Sequence, residues 1–369
     1  MVRATRTTTG DNSSSTVPNF EDNYKTTGSY FGKNYETQDN VLRTLGHSGV
    51  TTPISAQLYG FDHRQMGVRV GKNKEQFGYV FFTRPRIRLS YDNIRMVRSF
   101  KLLDNKDDYS VQRWVRATLD PVRPAKGYVD SPLVDPNNVF IPALSNSLTS
   151  LSGWPEISVD TYTSQEGTRK EQWTMADGFA QHYGAFTINC QFDNMTNNYL
   201  PELFWYWTQY MMLVHEGAFY PHYDSILENE IDYQTRIYRL IMDETKTFVI
   251  DIAATGICFP TNPSQASRYD YNKEEVFNKS NDNFSISFAA NGAIYKDPIL
   301  MAEFNMSVQA FNLGMNDNIR DKQYKLLTPA EATLFNHFGY PRINLDTGRL
   351  EWWVDKADYA AIMKTQVGR

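Results

Sequence analysis

The sequence predicts a β-rich α+β fold with one flanking helix, an extended N-terminal arm and additional segments around the β region. Three observations lead there. Four runs, AFTINCQF, RIYRLIMD, TFVIDIAATGICFP and NFSISFAANGAI, read as strands, the first with strict period-two alternation. One stretch, NYLPELFWYWTQYMMLVHEG, has helical spacing and is apolar on most faces. Residues 1–50 are dominated by Thr, Ser, Gly and Asn, too polar to offset the entropy of ordering alone.

Taken in order, residues 1–50 form an arm whose spaced aromatics (Phe20, Tyr24, Tyr30, Phe31, Tyr35) could anchor it on a partner. Residues 51–155 form a basic, loop-rich region with some strands. Within it GYVFFTRPRIRLS alternates Ile87 and Leu89 with Arg86 and Arg88, as in a strand with a cationic face, and Pro85 places it at an edge or bend. Residues 118–155, with six prolines, read as a linker or surface excursion.

Residues 156–315 form the β domain. EISVDTYTS, with Ile157 and Val159 inward, opens it, and AFTINCQF follows with Phe186, Ile188, Cys190 and Phe192 inward. A helix over 200–215 starts at Pro201 in its first turn and stops at Gly217. The polar loop 261–282 lies between the last two strands; loops of such length are functional or disordered more often than not, and this one is expected to reach a neighbouring subunit. In residues 316–369, Thr328-Pro329-Ala330-Glu331 is a capping box that opens a short helix, and YPRINLDTGRLEWWV turns as a hairpin at Asp346-Thr347-Gly348. Trp352 and Trp353 then point to opposite sides, leaving one exposed unless a partner covers it.

Composition bounds the function. The net charge is −5, with +8 in residues 62–126, zero in 1–61 and −13 in 127–369. Opposite-signed regions suit head-to-tail association of identical subunits, or are an uneven solvated surface. The chain has 23 Tyr, 22 Phe and 7 Trp, which serve either a β core or contacts between chains. Only Cys190 and Cys258 occur, both in apolar runs, which fits small core residues made in a reducing compartment and excludes a disulfide framework or cysteine-rich metal site. No apolar run approaches the ~20 residues of a membrane span, and the N-terminus lacks a secretory signal, so no membrane insertion is expected.

Chemistry is thin. Phosphate-binding, dinucleotide, serine-hydrolase and zincin motifs are missing from the sequence. His215-Glu216 begins like a zinc helix, but the next histidine, His222, lies beyond a Gly and a Pro. Asp104 to Asp108 lacks the spacing of a calcium loop and reads as a solvated turn. No catalytic, cofactor or metal residue is therefore assigned. Two alternatives stay open: a hydrolase using carboxylates between Glu216 and Asp232, with Glu228 and Glu230 foremost, and a nucleic-acid module using Arg84, Arg86 and Arg88, against which the acidic remainder argues.

The order AFTINCQF, helix from Pro201 to His215, RIYRLIMD, TFVIDIAATGICFPTNP, NFSISFAANGAIYKDP resembles that of tail-tube-type proteins of tailed bacteriophages, and FFTRP adds to the likeness. The resemblance implies a tube-like β-sandwich or barrel flanked by a helix, with loops packing between subunits of a ring. It also implies a non-enzymatic virion component in the tail tube, baseplate or neck, made in the host cytoplasm. Its partners would be further copies and other tail, baseplate or neck proteins, without cofactor.

Overall fold

The computed structural model describes residues 78–122, 130–178, 184–243, 245–269, 273, 282–335 and 338–367. The N-terminal arm and half of the loop 261–282 (270–272 and 274–281) lie outside them. The strands are β1 (Gly78–Phe82), β2 (Leu148–Ser152), β3 (Thr161–Thr163), β4 (Thr174–Ala176), β5 (Ala185–Asp193), β6 (Ile237–Met242), β7 (Val249–Pro260), β8 (Asn283–Tyr295), β9 (Tyr324–Leu326), β10 (Tyr340–Ile343) and β11 (Leu350–Asp355). The helices are α1 (Tyr91–Met96), α2 (Val111–Leu119), α3 (Pro142–Ser147), α4 (Tyr199–His215), α5 (Tyr223–Glu228), α6 (Ile299–Phe311), α7 (Arg320–Gln323), α8 (Pro329–Leu334) and α9 (Lys356–Val367).

Six strands form one antiparallel sheet in the order β1-β6-β7-β8-β5-β2, curled into a half-barrel. The alternation in AFTINCQF has the consequence its period dictates. Ile188, Cys190 and Phe192 are buried and lie opposite Phe288, Ile286 and Phe284 of β8. Against them packs α4: the Phe204 ring is 5.6 Å from Phe192, 5.9 Å from Phe288 and 6.2 Å from Phe284. Trp207 stacks on Phe204 and donates its indole N–H to the Tyr233 carbonyl at 3.0 Å, so the helix buries an aromatic ridge with its polar atom satisfied.

On the other half of the sheet, α6 covers β6 and β7. Phe304 lies 5.2 Å from Phe81, 5.0 Å from Phe140 and 5.4 Å from Tyr238. By register, Ala254 with Ile294 and Cys258 with Ala290 share the same alternation, yet the first pair belongs to the α6 core and the second to the α4 core. Between them sit Gly256 and Gly292. A Cβ on Gly256 would fall 2.4 Å from the Asn291 carbonyl oxygen, and Gly292 has φ +70°. Interior glycines of this kind mark a bend in a curled sheet.

The structure revises several expectations. β1 ends at Phe82; residues 84–90 keep the alternation, with Ile87 and Leu89 buried, but form no ladder. The proline-rich stretch 118–155 is no mere excursion. Its Ile141 N–H donates to Phe82 O at 2.9 Å, α3 follows, and β2 pairs with β5, so β1 and β2, both N-terminal to residue 155, are the edge strands of the main sheet. Pro201 is the third residue of α4, which starts at Tyr199 after a left-handed Asn198; Gly217 follows its end with φ +75°. Helices α1, α2, α3, α5, α6, α7 and α9 had no counterpart in the sequence reading.

The C-terminal strands form a sheet β10-β11-β9 joined to α6 through Asn305, which exchanges hydrogen bonds with Ile343 at 2.7 and 2.8 Å. Neither tryptophan waits for a partner. Trp352 packs 6.0 Å from Tyr79, and Trp353 is buried under the Arg320 guanidinium at 4.6 Å. The capping box is formed: Thr328 N–H donates to Glu331 Oε2 at 2.8 Å and Glu331 N–H to Thr328 Oγ1 at 3.3 Å. The Tyr359 hydroxyl of α9 donates to Glu331 Oε1 at 2.6 Å.

Phe204→Ala should lower stability by about 3–5 kcal/mol in urea unfolding, because it empties the contact of α4 with β5 and β8. Hydrogen bonds from Tyr359 and from Thr328 hold the Glu331 carboxyl down to about 2, against an ordinary value of 4.5. A depressed carboxylate contributes stability that is present above its unfolded value and is lost as pH falls through its folded one. Protection of the α8 and α9 amides from hydrogen exchange, relative to the intrinsic rate at each pH, should therefore fall between about pH 4.5 and about pH 2, and Glu331→Gln should abolish that fall.

Candidate assembly surfaces

Residues 156–178 leave the sheet as an exposed hairpin. β3 and β4 pair Thr161 with Ala176, Tyr162 with Met175 and Thr163 with Thr174, extended by Ser164 N–H to Trp173 O at 2.9 Å and closed by a turn containing a left-handed Lys170. Every residue of both strands is exposed. So are Ile157 (62%), Val159 and Trp173 (67%), where the sequence placed Ile157 and Val159 inward. An isolated two-stranded ribbon is marginal in water, so this one is held at its root. There Trp154 meets the Tyr295 ring edge-on at 5.9 Å, and the Tyr295 hydroxyl donates to the Pro155 carbonyl at 2.5 Å. Period two was legible in EISVDTYTS, but inside and outside were not; the clue was the absence of turn-flanked neighbours with matching apolar faces.

Beside the hairpin root, a groove of about 970 Å³ runs between the two edge strands. Val80 of β1 and Leu151 of β2 are among its walls, with Arg239, Asp251 and Tyr295 from the strands between. The β1 rim demands glycine at its end: a Cβ on Gly78 would sit 1.8 Å from the Leu240 carbonyl oxygen. Open sheet edges carry backbone donors and acceptors ready for another chain.

The residues named for chemistry are dispersed. Asp232 is buried and takes a hydrogen bond from the Tyr210 hydroxyl, whereas Glu228 and Glu230 are exposed and Glu230 lies 3.7 Å from Arg86. Burial raises the Asp232 carboxyl above its ordinary value, and the Tyr210 bond opposes this. Burial first, and then the Asp232 charge, push the Tyr210 hydroxyl far up. Close by, His222 Nε2 lies 3.2 Å from Asp120, whose other oxygen accepts Leu89 N–H at 2.9 Å. These bonds tie residues 86–89, 120 and 222–232 into one unit, an architectural task. His222 is buried.

Of the three arginines, Arg84 is buried and donates to the carbonyls of Thr118 (2.9 Å), Asp135 and Asn138 (3.3 Å each) and Ala117. Its charge is directed inward and cannot meet a phosphate. Burial also pushes the Cys258 thiol up to about 12 and the Cys190 thiol further. Among the described residues no group of three or more His, Cys, Asp or Glu is placed to hold a metal ion, and no helix is long and apolar enough to cross a membrane.

Residues 13–367 match a family model described as "Putative phage tail tube protein". The chain belongs to this tail tube family. Solved structures with similarity include the tube-terminating cap of the anti-feeding prophage, at 17% identity over 42% of this chain and 81% of that one, with a TM-score of 0.25. Another is the sheath/tube terminator of the extracellular contractile injection system PVC in its extended state, at 14% identity over 43% of this chain and 87% of that one, TM-score 0.23. No curated protein matches. Membership of the tail tube family makes this a tail-related structural protein of a phage.

Within this tail tube protein, Arg84→Ala should cost about 2–4 kcal/mol by leaving buried carbonyls without donors, whereas Arg86→Ala should stay within about 0.5 kcal/mol. Chemical denaturation of both variants measures the contrast.

Proposed function

We propose that the protein is a non-enzymatic subunit that builds part of the phage tail through repeated contacts between copies, with the hairpin 156–178 as a principal contact. The observation that carries this is the exposure of Ile157, Val159, Tyr162, Trp173 and Met175 on a ribbon with no core of its own. A ribbon that presents large apolar side chains to water gains roughly 25 cal/mol per Å² of apolar area by lying on a second surface. The neighbouring groove and sheet edges offer such a surface on the next copy, so the contact is heterologous and repeats.

The N-terminal arm and the loop 261–282 fit the same scheme as segments that bind adjacent subunits. The first residues of that loop are tied down, since Thr261 N–H donates to Ser287 O at 2.8 Å and Gln265 Nε2 to Pro201 O at 2.9 Å. The subunit would be made in the host cytoplasm and end in the virion, beside other tail, baseplate or neck proteins. Asp232 and Arg84 have internal partners, which takes these two residues out of the hydrolase and nucleic-acid readings.

The test is electron microscopy and light scattering of the full chain, alone and with other tail proteins. Rings or tubes are expected for the wild type. The double variant Tyr162→Ser, Trp173→Ser should keep its melting temperature, because both residues are exposed, and remain small. Unimpaired assembly of that variant would remove the hairpin from the contact. A wild type that never associates, with itself or with any tail protein, would sink the reading as a whole.

A further inference from the structure

Asn291-Gly292 is the one Asn-Gly pair in the sequence, and it sits at the bend of the main sheet. Gly292 has φ +70°, a left-handed backbone in which a side chain is strained. On the facing strand, a Cβ on Gly256 would meet the Asn291 carbonyl oxygen at 2.4 Å. The bend therefore holds glycine in place after Asn291, whose own side chain is exposed.

That pairing carries a chemistry of its own. In a loose chain the Gly292 backbone nitrogen, with no side chain beside it, can attack Asn291 Cγ; the amide nitrogen leaves as ammonia and a succinimide ring closes. Water then opens the ring on either side. One opening leaves aspartate, and the other leaves isoaspartate, in which the backbone runs through the former side chain and is longer by a methylene.

Folding blocks the first step. Asn291 is paired on both sides, with Ala185 of β5 and Ile257 of β7, and Gly292 N–H donates to Gly184 O at 3.2 Å. Attack requires that nitrogen to lose its hydrogen and to turn toward the side chain, and the two ladders prevent the turn. β8 has a neighbour on each edge, so release of this peptide requires the sheet itself to open. Once formed, isoaspartate is incompatible with the same sheet. The added methylene lies between buried Ile286, Phe288 and Ala290 on one side and buried Ala293 on the other, and shifts one set against both partner strands.

We propose that Asn291-Gly292 is a deamidation site open only in the unfolded chain, a clock that withdraws slow-folding copies from the pool competent to assemble. It does not rest on which surfaces join the copies.

The experiment incubates the full chain at neutral pH, folded in buffer and unfolded in urea, and follows Asn291 by peptide mass mapping and isoaspartyl methyltransferase labelling. In urea, conversion at Asn291 should run well ahead of that at Asn146, which precedes Ser147. In the folded chain it should be slower by about a thousandfold or more, the fraction of time a stable sheet spends open. After dilution from urea, isoaspartyl chains should collect in the fraction that fails to refold. Asn291→Asp adds the charge without the methylene and should refold. Conversion of the folded chain at a rate near that in urea, conversion in urea no faster than at Asn146, or isoaspartyl chains that refold would each overturn the proposal. So would an Asn291→Asp chain that cannot refold, since the loss would then lie in the charge.

Discussion

One sheet has to be buried twice. The alternating apolar side chains of β5 to β8 demand cover along their whole length, and among the described residues two helices share that task. α4 covers one part through Phe204 and Trp207, and α6 the other through Phe304. The glycines at 256 and 292 lie where cover passes from one helix to the other. The position of the edge strands, the groove between them and the hairpin that leaves from β2 all depend on that arrangement.

Charge in this molecule divides into internal and external uses. The basic excess of residues 62–126 suggested a cationic surface, but Arg84 and Arg116 are buried, Arg84 bonding backbone carbonyls and Arg116 lying over the Tyr91 ring at 4.6 Å. Burial lowers the Arg116 guanidinium below its ordinary value, opposed chiefly by the charge on Tyr91 and by nearby carboxylates. Among the described residues of that stretch, Arg95, Arg98 and Lys101 stay on the outside around α1. Summed charge along a sequence does not distinguish such internal arginines from external ones.

Period and punctuation made much of the fold readable. β5 to β8, α4 and the Thr328–Glu331 cap followed from alternation, helical spacing and capping chemistry, since each is a local signal. α6 was not readable because its apolar residues surround the helix and follow Pro298 directly, so no polar face betrays the period. β2 is the short run LTSLS, which acquires meaning only opposite β5. The hairpin was half readable: Ile157 and Val159 alternate as inward residues do, but what covers a side chain is a property of the assembled molecule. The same limit applies to Trp352, whose cover, Tyr79, lies far away in sequence.

The two cysteines have a practical bearing. Both thiols are free and buried on strands of the main sheet, and burial raises their titration well above neutral pH. Thiolate is the reactive form, so neither competes for an alkylating reagent while the protein is folded. A cysteine engineered anywhere on the exterior would be the sole fast-reacting thiol. The native chain is thus already a background for single-site fluorophores, spin labels or cross-linkers that follow a tail as it is put together.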